Sequence, residues 1–115
     1  DNPSAKEIEN ALVNEGRKII EKIPKGSFVY TMCIEGKQCS SEELSTLMFS
    51  KINGGATGLT FIIGSSYGLH PDCKARADIK LSFSKMTFPH RLMRVILLEQ
   101  IYRAFQIENG GKYHK

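Results

Sequence analysis

The residues best suited to chemistry lie in two short loops that each follow a predicted strand and precede a predicted helix. One is Gly64–Gly68, with the sequence Gly-Ser-Ser-Tyr-Gly, and the other is Phe83–Phe88, a polar segment between two phenylalanines. Open α/β sheets bind small molecules at such loops, outside the carboxyl ends of their strands. The sequence therefore predicts a small-molecule site formed by the two loops.

Each loop also has a structural alternative. Gly64–Gly68 is not a G-x-G-x-x-G fingerprint, so no dinucleotide site is indicated, and a tight turn that requires glycine explains it equally well. Phe83, Met86 and Phe88 can serve as plugs of the hydrophobic core. Residue types alone leave these alternatives open.

Seven elements are predicted around the loops, in the order α-β-α-β-α-β-α, which requires parallel strand pairing. The helices begin at the capping boxes Ser4-x-x-Glu7 and Ser40-x-x-Glu43, at His70-Pro71, and at Pro89, the last running to Ile107. The strands are Ser27–Cys33, Leu59–Ile63 and Ile79–Phe83, with a turn at Ile34–Lys37. Ser27–Cys33 is apolar on both faces, which is typical of a buried parallel strand.

The final helix is apolar on nearly all sides. Between Leu92 and Ile107 it carries apolar residues at most positions, broken by few charges. One small sheet cannot cover such a surface, so the pattern predicts a homodimer formed through this helix.

Composition limits the class of protein. The chain has 115 residues, 41% hydrophobic and 24% charged, which fits one globular domain. The apolar runs are short and no secretory leader is recognisable, so we expect no membrane span and a cytoplasmic location. Three cysteines without a C-x-x-C pair and three histidines without ligand spacing predict no metal.

The positive charge is concentrated in the second part of the chain. Residues 1–69 have a balance of −1 and residues 70–115 a balance of +5, which together give the net charge of +4. A basic end suits a polyanionic partner such as RNA, although an ordinary solvated face explains the charge at least as well.

Three segments of the sequence resemble the RlmH family of SPOUT-class, trefoil-knotted methyltransferases that act on 23S ribosomal RNA. They are Phe83–His90, the Tyr102-Arg103-Ala104-Phe105 step and the terminal Tyr113-His114-Lys115, and the similarity continues upstream through Ile62–Leu69 and Val29–Lys37. The resemblance implies S-adenosyl-L-methionine as methyl donor and N3 of a pseudouridine in 23S rRNA as acceptor. It also implies a homodimer whose tail approaches the partner's cofactor.

The family's site residues can be placed on this sequence. The cofactor-binding residues implied by the resemblance are Met32, Gly64, Phe83, Ser84, Lys85, Met86, Thr87 and Phe88. An adenine needs an apolar slot with backbone donors and acceptors, which a polar loop between phenylalanines supplies. Ser65 stands where the family has a second glycine, and Met32 without the resemblance would be assigned to the core.

The predicted catalytic residues are Arg103, Tyr113 and His114. Arg103 lies among apolar neighbours and needs a partner, which is either a phosphate or a carboxylate such as Glu99 of another subunit. Tyr113 can stack on a base, and His114 can accept a proton or bind phosphate, although terminal residues are commonly frayed.

We therefore predict a single SPOUT methyltransferase domain over residues 1–115, α/β in class, with a parallel sheet, flanking helices and a trefoil knot in the C-terminal half. The family places a strand–helix–strand unit before the first helix, where this chain has only Asp1-Asn2-Pro3, so we expect a domain that is incomplete at its N-terminus. The alternatives are a non-catalytic RNA-binding or ribosome-associated module and an inactive fragment that still dimerises.

Overall fold

A computed structural model describes residues 3–115 as a three-stranded parallel sheet flanked by helices. Its elements are α1 (Ala5–Lys22), β1 (Ser27–Gln38), α2 (Ser41–Asn53), β2 (Gly58–Ile62), α3 (Pro71–Arg76), β3 (Ile79–Ser82) and α4 (His90–Glu108). The predicted order and the α/β class are confirmed, and the trefoil knot stays a prediction. Of the predicted opening loop Asp1-Asn2-Pro3, only Pro3 lies within the described residues.

Two helices begin where the capping boxes predict. In α1 the Glu7 amide donates to the Ser4 hydroxyl at 3.1 Å, and the Ser4 amide donates back to the Glu7 carboxylate at 3.2 Å. Ser40 and Glu43 repeat the exchange at the start of α2, at 3.0 and 2.8 Å. These bonds satisfy amides that have no partner inside the helix, so they set the first residue of each helix.

β1 is the central strand, between β2 and β3. Ser27–Thr31 pairs in parallel with Gly58–Ile62, and Tyr30–Met32 pairs in parallel with Ile79–Leu81. The middle of β1 is inaccessible to solvent on both faces, with Val29, Tyr30 and Thr31 all at 0% exposure. The predicted buried parallel strand is therefore confirmed.

Neighbouring residues of β1 contact helices on opposite sides of the sheet, as the alternation of a strand requires. The Tyr30 hydroxyl donates to the Leu47 carbonyl of α2 at 3.3 Å, whereas the Thr31 hydroxyl donates to the Cys73 carbonyl of α3 at 3.4 Å. The main core lies on the side of α2 and α4 and consists of Tyr30, Met32, Leu44, Met48, Leu81, Leu97 and Ala104.

The predicted turn at Ile34–Lys37 is wrong, because β1 continues to Gln38 through a large bulge. Met32 and Lys37 both pair with Leu81, so the intervening residues leave the ladder and return to it. A β-carbon on Gly36 would lie 2.6 Å from the Leu81 carbonyl carbon, so the return needs a glycine at this position. Residues 33–35 of the bulge line a cavity.

The remaining strands and the last helix have ends within one residue of the prediction. Within residues 3–115, no helix is long and apolar enough to cross a membrane.

Candidate functional site

A cavity of about 750 Å³ lies where the two predicted ligand loops meet the bulge of β1. The bulge contributes one wall, the segment after β2 a second, and the segment between β3 and α4 a third. The lining residues are Met32, Cys33, Ile34, Glu35, Ile63, Gly64, Ser65, Ser66, Gly68, Leu69, Lys74, Ser82, Phe83, Ser84, Met86, Thr87, Phe88, Pro89, His90 and Met93. Parallel pairing brings these segments together because β2, β1 and β3 all run in the same direction.

All the predicted cofactor-binding residues except Lys85 line this cavity. Met32 is 5% exposed and also belongs to the core, so it is a floor residue shared by both. Met86, in contrast, is 71% exposed and lies at the rim. The predicted site therefore has a buried methionine at its floor and an exposed methionine at its opening.

The loop after β2 is a tight turn closed by its own backbone. The Ser65 amide donates to the Gly68 carbonyl at 3.0 Å, and the Gly68 amide donates to the Ser65 carbonyl at 2.9 Å. A β-carbon on Gly64 would lie 2.5 Å from the Gly68 carbonyl oxygen, so glycine is required there for close approach. Gly68 has φ +94°, a conformation that favours glycine. The turn explanation and a ligand role are thus compatible.

Ser65 faces the cavity, and its hydroxyl is already used inside the loop. It accepts a hydrogen bond from the Tyr67 amide at 3.3 Å. The Ser65 side chain therefore supports the turn.

Serine hydroxyls shape the loop between β3 and α4. The Ser82 hydroxyl donates to the Ser84 carbonyl at 2.9 Å and accepts from the Ser84 amide at 3.2 Å, and the Ser84 hydroxyl accepts from the Met86 amide at 3.0 Å. These bonds turn the chain within a few residues, with Phe83 and Phe88 on the cavity wall. The polar residues between the two phenylalanines thus have a structural purpose that residue types alone did not show.

A pair of opposite charges on the cavity wall was not predicted from the sequence. Lys74 of α3 and Glu35 of the bulge form an ion pair at 2.5 Å, and the hydrogen bond from Lys74 lowers the pKa of the Glu35 carboxyl. Burial, together with the charge of Glu35, raises the pKa of the neighbouring Cys33 thiol. No local pattern marked these residues, because they are far apart in sequence and meet only through the bulge.

The predicted catalytic residues form a second cluster, and none of them lines the cavity of its own chain. The Glu99 carboxylate accepts from Arg103 Nε at 3.2 Å, from Arg103 Nη2 at 2.9 Å and from the Tyr113 hydroxyl at 2.7 Å. The Arg103 guanidinium also lies over the Tyr113 ring, 4.8 Å from its centre. Arg103 therefore has a carboxylate partner, but the prediction that it belongs to another subunit is wrong, because the partner is Glu99 of the same helix, one turn away.

His114 completes this cluster. Arg103 Nη1 lies 3.0 Å from His114 Nδ1, and His114 Nε2 lies 3.3 Å from a Glu42 carboxylate oxygen of α2. A guanidinium only donates, so Nδ1 must accept, and the ring proton is then on Nε2, facing Glu42. In this arrangement both ring nitrogens of His114 have partners within the same chain.

Electrostatic effects in the cluster follow from the same contacts. The hydrogen bond from Arg103, followed by that from Tyr113, holds the pKa of the Glu99 carboxyl below its usual range. The hydrogen bond to Glu99 raises the pKa of the Tyr113 phenol. Among residues 3–115, no group of histidine, cysteine, aspartate and glutamate is arranged to hold a metal ion.

Comparison with known proteins gives consistent matches over the whole chain. The model of a family described as "Predicted SPOUT methyltransferase" matches residues 1–114. A protein of Clostridioides difficile (strain 630) named Ribosomal RNA large subunit methyltransferase H is 52% identical over 115 residues. A protein of the same name from Streptococcus sanguinis (strain SK36) is 48% identical over 115 residues. Each alignment covers 100% of this chain and 72% of the relative.

Proposed function

The chain belongs to the SPOUT methyltransferase family and is therefore a methyltransferase, and on this basis we propose that it methylates N3 of a pseudouridine in 23S rRNA with S-adenosyl-L-methionine as donor. The relatives' name, Ribosomal RNA large subunit methyltransferase H, supports a large-subunit RNA acceptor. The pseudouridine and its N3 atom rest on the resemblance of Phe83–His90 and Tyr113–Lys115. An enzyme with this substrate would work in the cytoplasm.

The observation that carries the proposal is the cavity between the bulge of β1 and the two loops. Its volume of about 750 Å³ is within the usual size of sites for cofactor-sized ligands. Met32, Phe83 and Phe88 supply apolar walls for an adenine, and the loop backbone supplies hydrogen-bonding groups. These residues fit S-adenosyl-L-methionine, whose sulfonium supplies the methyl group when it is bound.

The chain's own residues have to orient the acceptor and assist loss of its proton. Methyl transfer requires the acceptor nitrogen in line with the methyl group, so correct placement of the nucleotide supplies much of the rate. Arg103 is suited to bind a phosphate because its guanidinium has N–H groups beyond those used by Glu99 and His114. Tyr113 offers an aromatic face for a base.

A second copy of the chain would bring this cluster to a cavity. One face of α4 exposes a row of large apolar side chains: Leu92 (46%), Val95 (62%), Leu98 (64%), Tyr102 (52%) and Phe105 (42%). Such a contiguous row is typical of an interface. We propose a homodimer through α4, in which the tail of one protomer faces the cavity of its partner.

Calorimetric titration with S-adenosyl-L-methionine tests the cofactor site. We expect binding by the parent chain and by Lys85→Trp, and loss of binding by Ser84→Trp, because Ser84 lines the cavity and its neighbour Lys85 does not. Equal affinities of the two variants would remove the site from this cavity.

Transfer of labelled methyl groups to ribosomes or large subunits that lack the modification tests the reaction. We expect incorporation at one pseudouridine. Ribosome binding without cofactor binding would indicate a non-catalytic RNA-binding module. Cofactor binding and dimerisation without methyl transfer would indicate an inactive dimeric fragment.

A further inference from the structure

The end of the chain is fixed to α4 and α2 by a network of side chains, here called the tail network: Glu42, Glu99, Arg103, Tyr113 and His114. The Gly111 amide also donates to the Gln106 carbonyl at 2.7 Å, so the tail turns back at once after α4. Tyr113 packs edge-on against Tyr102, with ring centres 5.0 Å apart. The tail is thus attached to the helix, although two glycines precede it.

Glu99 is the acceptor that this network shares. Its Oε1 accepts from Arg103 Nε and from the Gln100 side chain, and its Oε2 accepts from Arg103 Nη2 and from the Tyr113 hydroxyl. The two-point contact fixes the plane of the guanidinium, and that plane in turn covers the Tyr113 ring. One carboxylate therefore sets the relative placement of a guanidinium and an aromatic ring.

The solvent exposure of these side chains indicates whether the network serves folding stability or ligand binding. The side chains of Arg103 and Glu99 are 23% and 34% exposed, and Tyr113 is 45% exposed. An ion pair this accessible adds little to folding stability. Arg103 also has N–H groups that Glu99 and His114 do not use, and nearly half of Tyr113 is exposed to an external ligand.

We propose that Glu99 is a positioning residue that holds Arg103 and Tyr113 in the geometry required to receive the rRNA nucleotide. The inference rests on the proposed function, since it concerns the nucleotide of that reaction. Glu99 itself does not touch the substrate. It acts by restricting Arg103 and Tyr113 before the nucleotide arrives, so that binding does not have to order them.

Replacing Glu99 by glutamine distinguishes the hydrogen-bonding role of the carboxylate from the packing of a side chain of the same size. The amide keeps the size of the side chain but has one acceptor oxygen in place of two. Arg103 cannot accept a hydrogen bond from the new amide nitrogen, so one of its two contacts is lost. The guanidinium plane is then held less rigidly, and so is the Tyr113 ring beneath it.

The experiment compares Glu99→Gln, Glu99→Ala and the control Glu108→Gln with the parent chain. Glu108 is exposed on the same helix and makes no side-chain hydrogen bond within residues 3–115. We expect kcat for ribosomal RNA methylation to fall by about 10²-fold in Glu99→Gln, as for misplacement of a reacting group. Affinity for S-adenosyl-L-methionine and the melting temperature should stay at the parent values, and Glu108→Gln should match the parent throughout.

Titration of the tyrosines by NMR shows whether Glu99→Gln breaks the contact between Tyr113 and residue 99, whereas a lower kcat at unchanged melting temperature and cofactor affinity distinguishes positioning from a structural role. The hydrogen bond to Glu99 raises the pKa of Tyr113, so Glu99→Gln should lower it toward the ordinary value. Glu108→Gln should not change it.

The proposed function and the positioning role of Glu99 are contradicted by different results. A parent chain that neither binds the cofactor nor methylates RNA contradicts the proposed function. A parent chain that methylates RNA, together with a Glu99→Gln variant of equal kcat, overturns the positioning role even if the pKa of Tyr113 moves.

Discussion

Placing a single methyl group on Gly64 should disturb the cofactor site without touching a cofactor directly. In Gly64→Ala the new β-carbon would lie 2.5 Å from the Gly68 carbonyl oxygen and 2.7 Å from the Gly68 carbonyl carbon. Both are backbone atoms, which cannot rotate away as a flexible side chain could. The loop that lines the cavity must therefore move.

The size of the effect follows from the overlap. Real β-carbons essentially never approach another heavy atom within 3.0 Å, so the backbone at Gly68 has to shift by at least about 0.5 Å, and overpacking of this kind costs about 1–3 kcal/mol. The Ser65–Gly68 bridge, with bonds of 3.0 and 2.9 Å, resists the shift. When no ligand is bound, the loop can open and relieve this strain, whereas the bound state has to keep it. The strain then opposes binding, so affinity for S-adenosyl-L-methionine falls by about 10- to 100-fold.

The assay is a pair of measurements on Gly64→Ala and a matched glycine. Calorimetry gives the affinity for S-adenosyl-L-methionine, and denaturant unfolding gives the free energy of unfolding. Gly58→Ala is the control, because a β-carbon there meets no atom within 4 Å and its φ is not positive. The control should keep both values or gain slightly in stability.

A Gly64→Ala protein with the parent's affinity and the parent's free energy of unfolding would refute the reasoning. That outcome would mean that the loop adjusts without cost and that its shape does not set the cavity wall. Loss of stability with unchanged affinity would support the turn and refute its link to the ligand site.

Further predictions concern the tail, the exposed face of α4 and the core. Removing Tyr113–Lys115 should leave the affinity for S-adenosyl-L-methionine unchanged by calorimetry but reduce RNA methylation by about 10²-fold or more, and full methylation would show that the tail is dispensable. Leu98→Lys should convert a dimer into a monomer in light scattering, because it places a charge on a 64% exposed apolar site, while Asn14→Lys on α1 should not; a dimeric Leu98→Lys variant would place the interface elsewhere. Burial raises the pKa of Tyr30 to about 12, so its contribution to stability is complete below the ordinary phenol pKa of about 10 and is lost as pH rises through about 12. Ultraviolet titration should show a tyrosine that ionises near pH 12 and that Tyr30→Phe removes, and persistence of this step in the variant would assign it to another residue.

Local signals in the sequence predicted the type and order of the helices and strands, and two walls of the site. The capping boxes at Ser4 and Ser40 act over one helical turn, and the structure forms both. The apolar run Ser27–Cys33 predicted a buried parallel strand, which requires only that both faces be covered. Since parallel strands place their carboxyl ends at one edge, the loops after β2 and β3 had to meet there, and they line one cavity.

The resemblance carried the identification further than composition or spacing could. A few residues around Phe83–His90 and at the tail led to the family that the comparison then showed. The roles of Arg103, Tyr113 and His114 stay predictions, although the structure places these residues together.

Other features depend on contacts between distant residues, and no local pattern could reveal them. Ile34–Lys37 has the composition of a turn, but the chain returns to Leu81 because Gly36 allows close backbone approach. The return places Glu35 beside Lys74 on the cavity wall.

Glu99 makes one contact that the sequence predicts and one that only the tertiary structure shows. Its spacing from Arg103 on α4 is readable in the sequence, since residues four apart are neighbours on a helix. Its bond to Tyr113 is not, because only the turn after α4 returns the tail to the helix. The sequence by itself thus determined the elements, their caps and the strand direction, which are local or set by burial. The tertiary structure alone decided which groups far apart in the sequence meet, because those contacts depend on how the chain returns to itself.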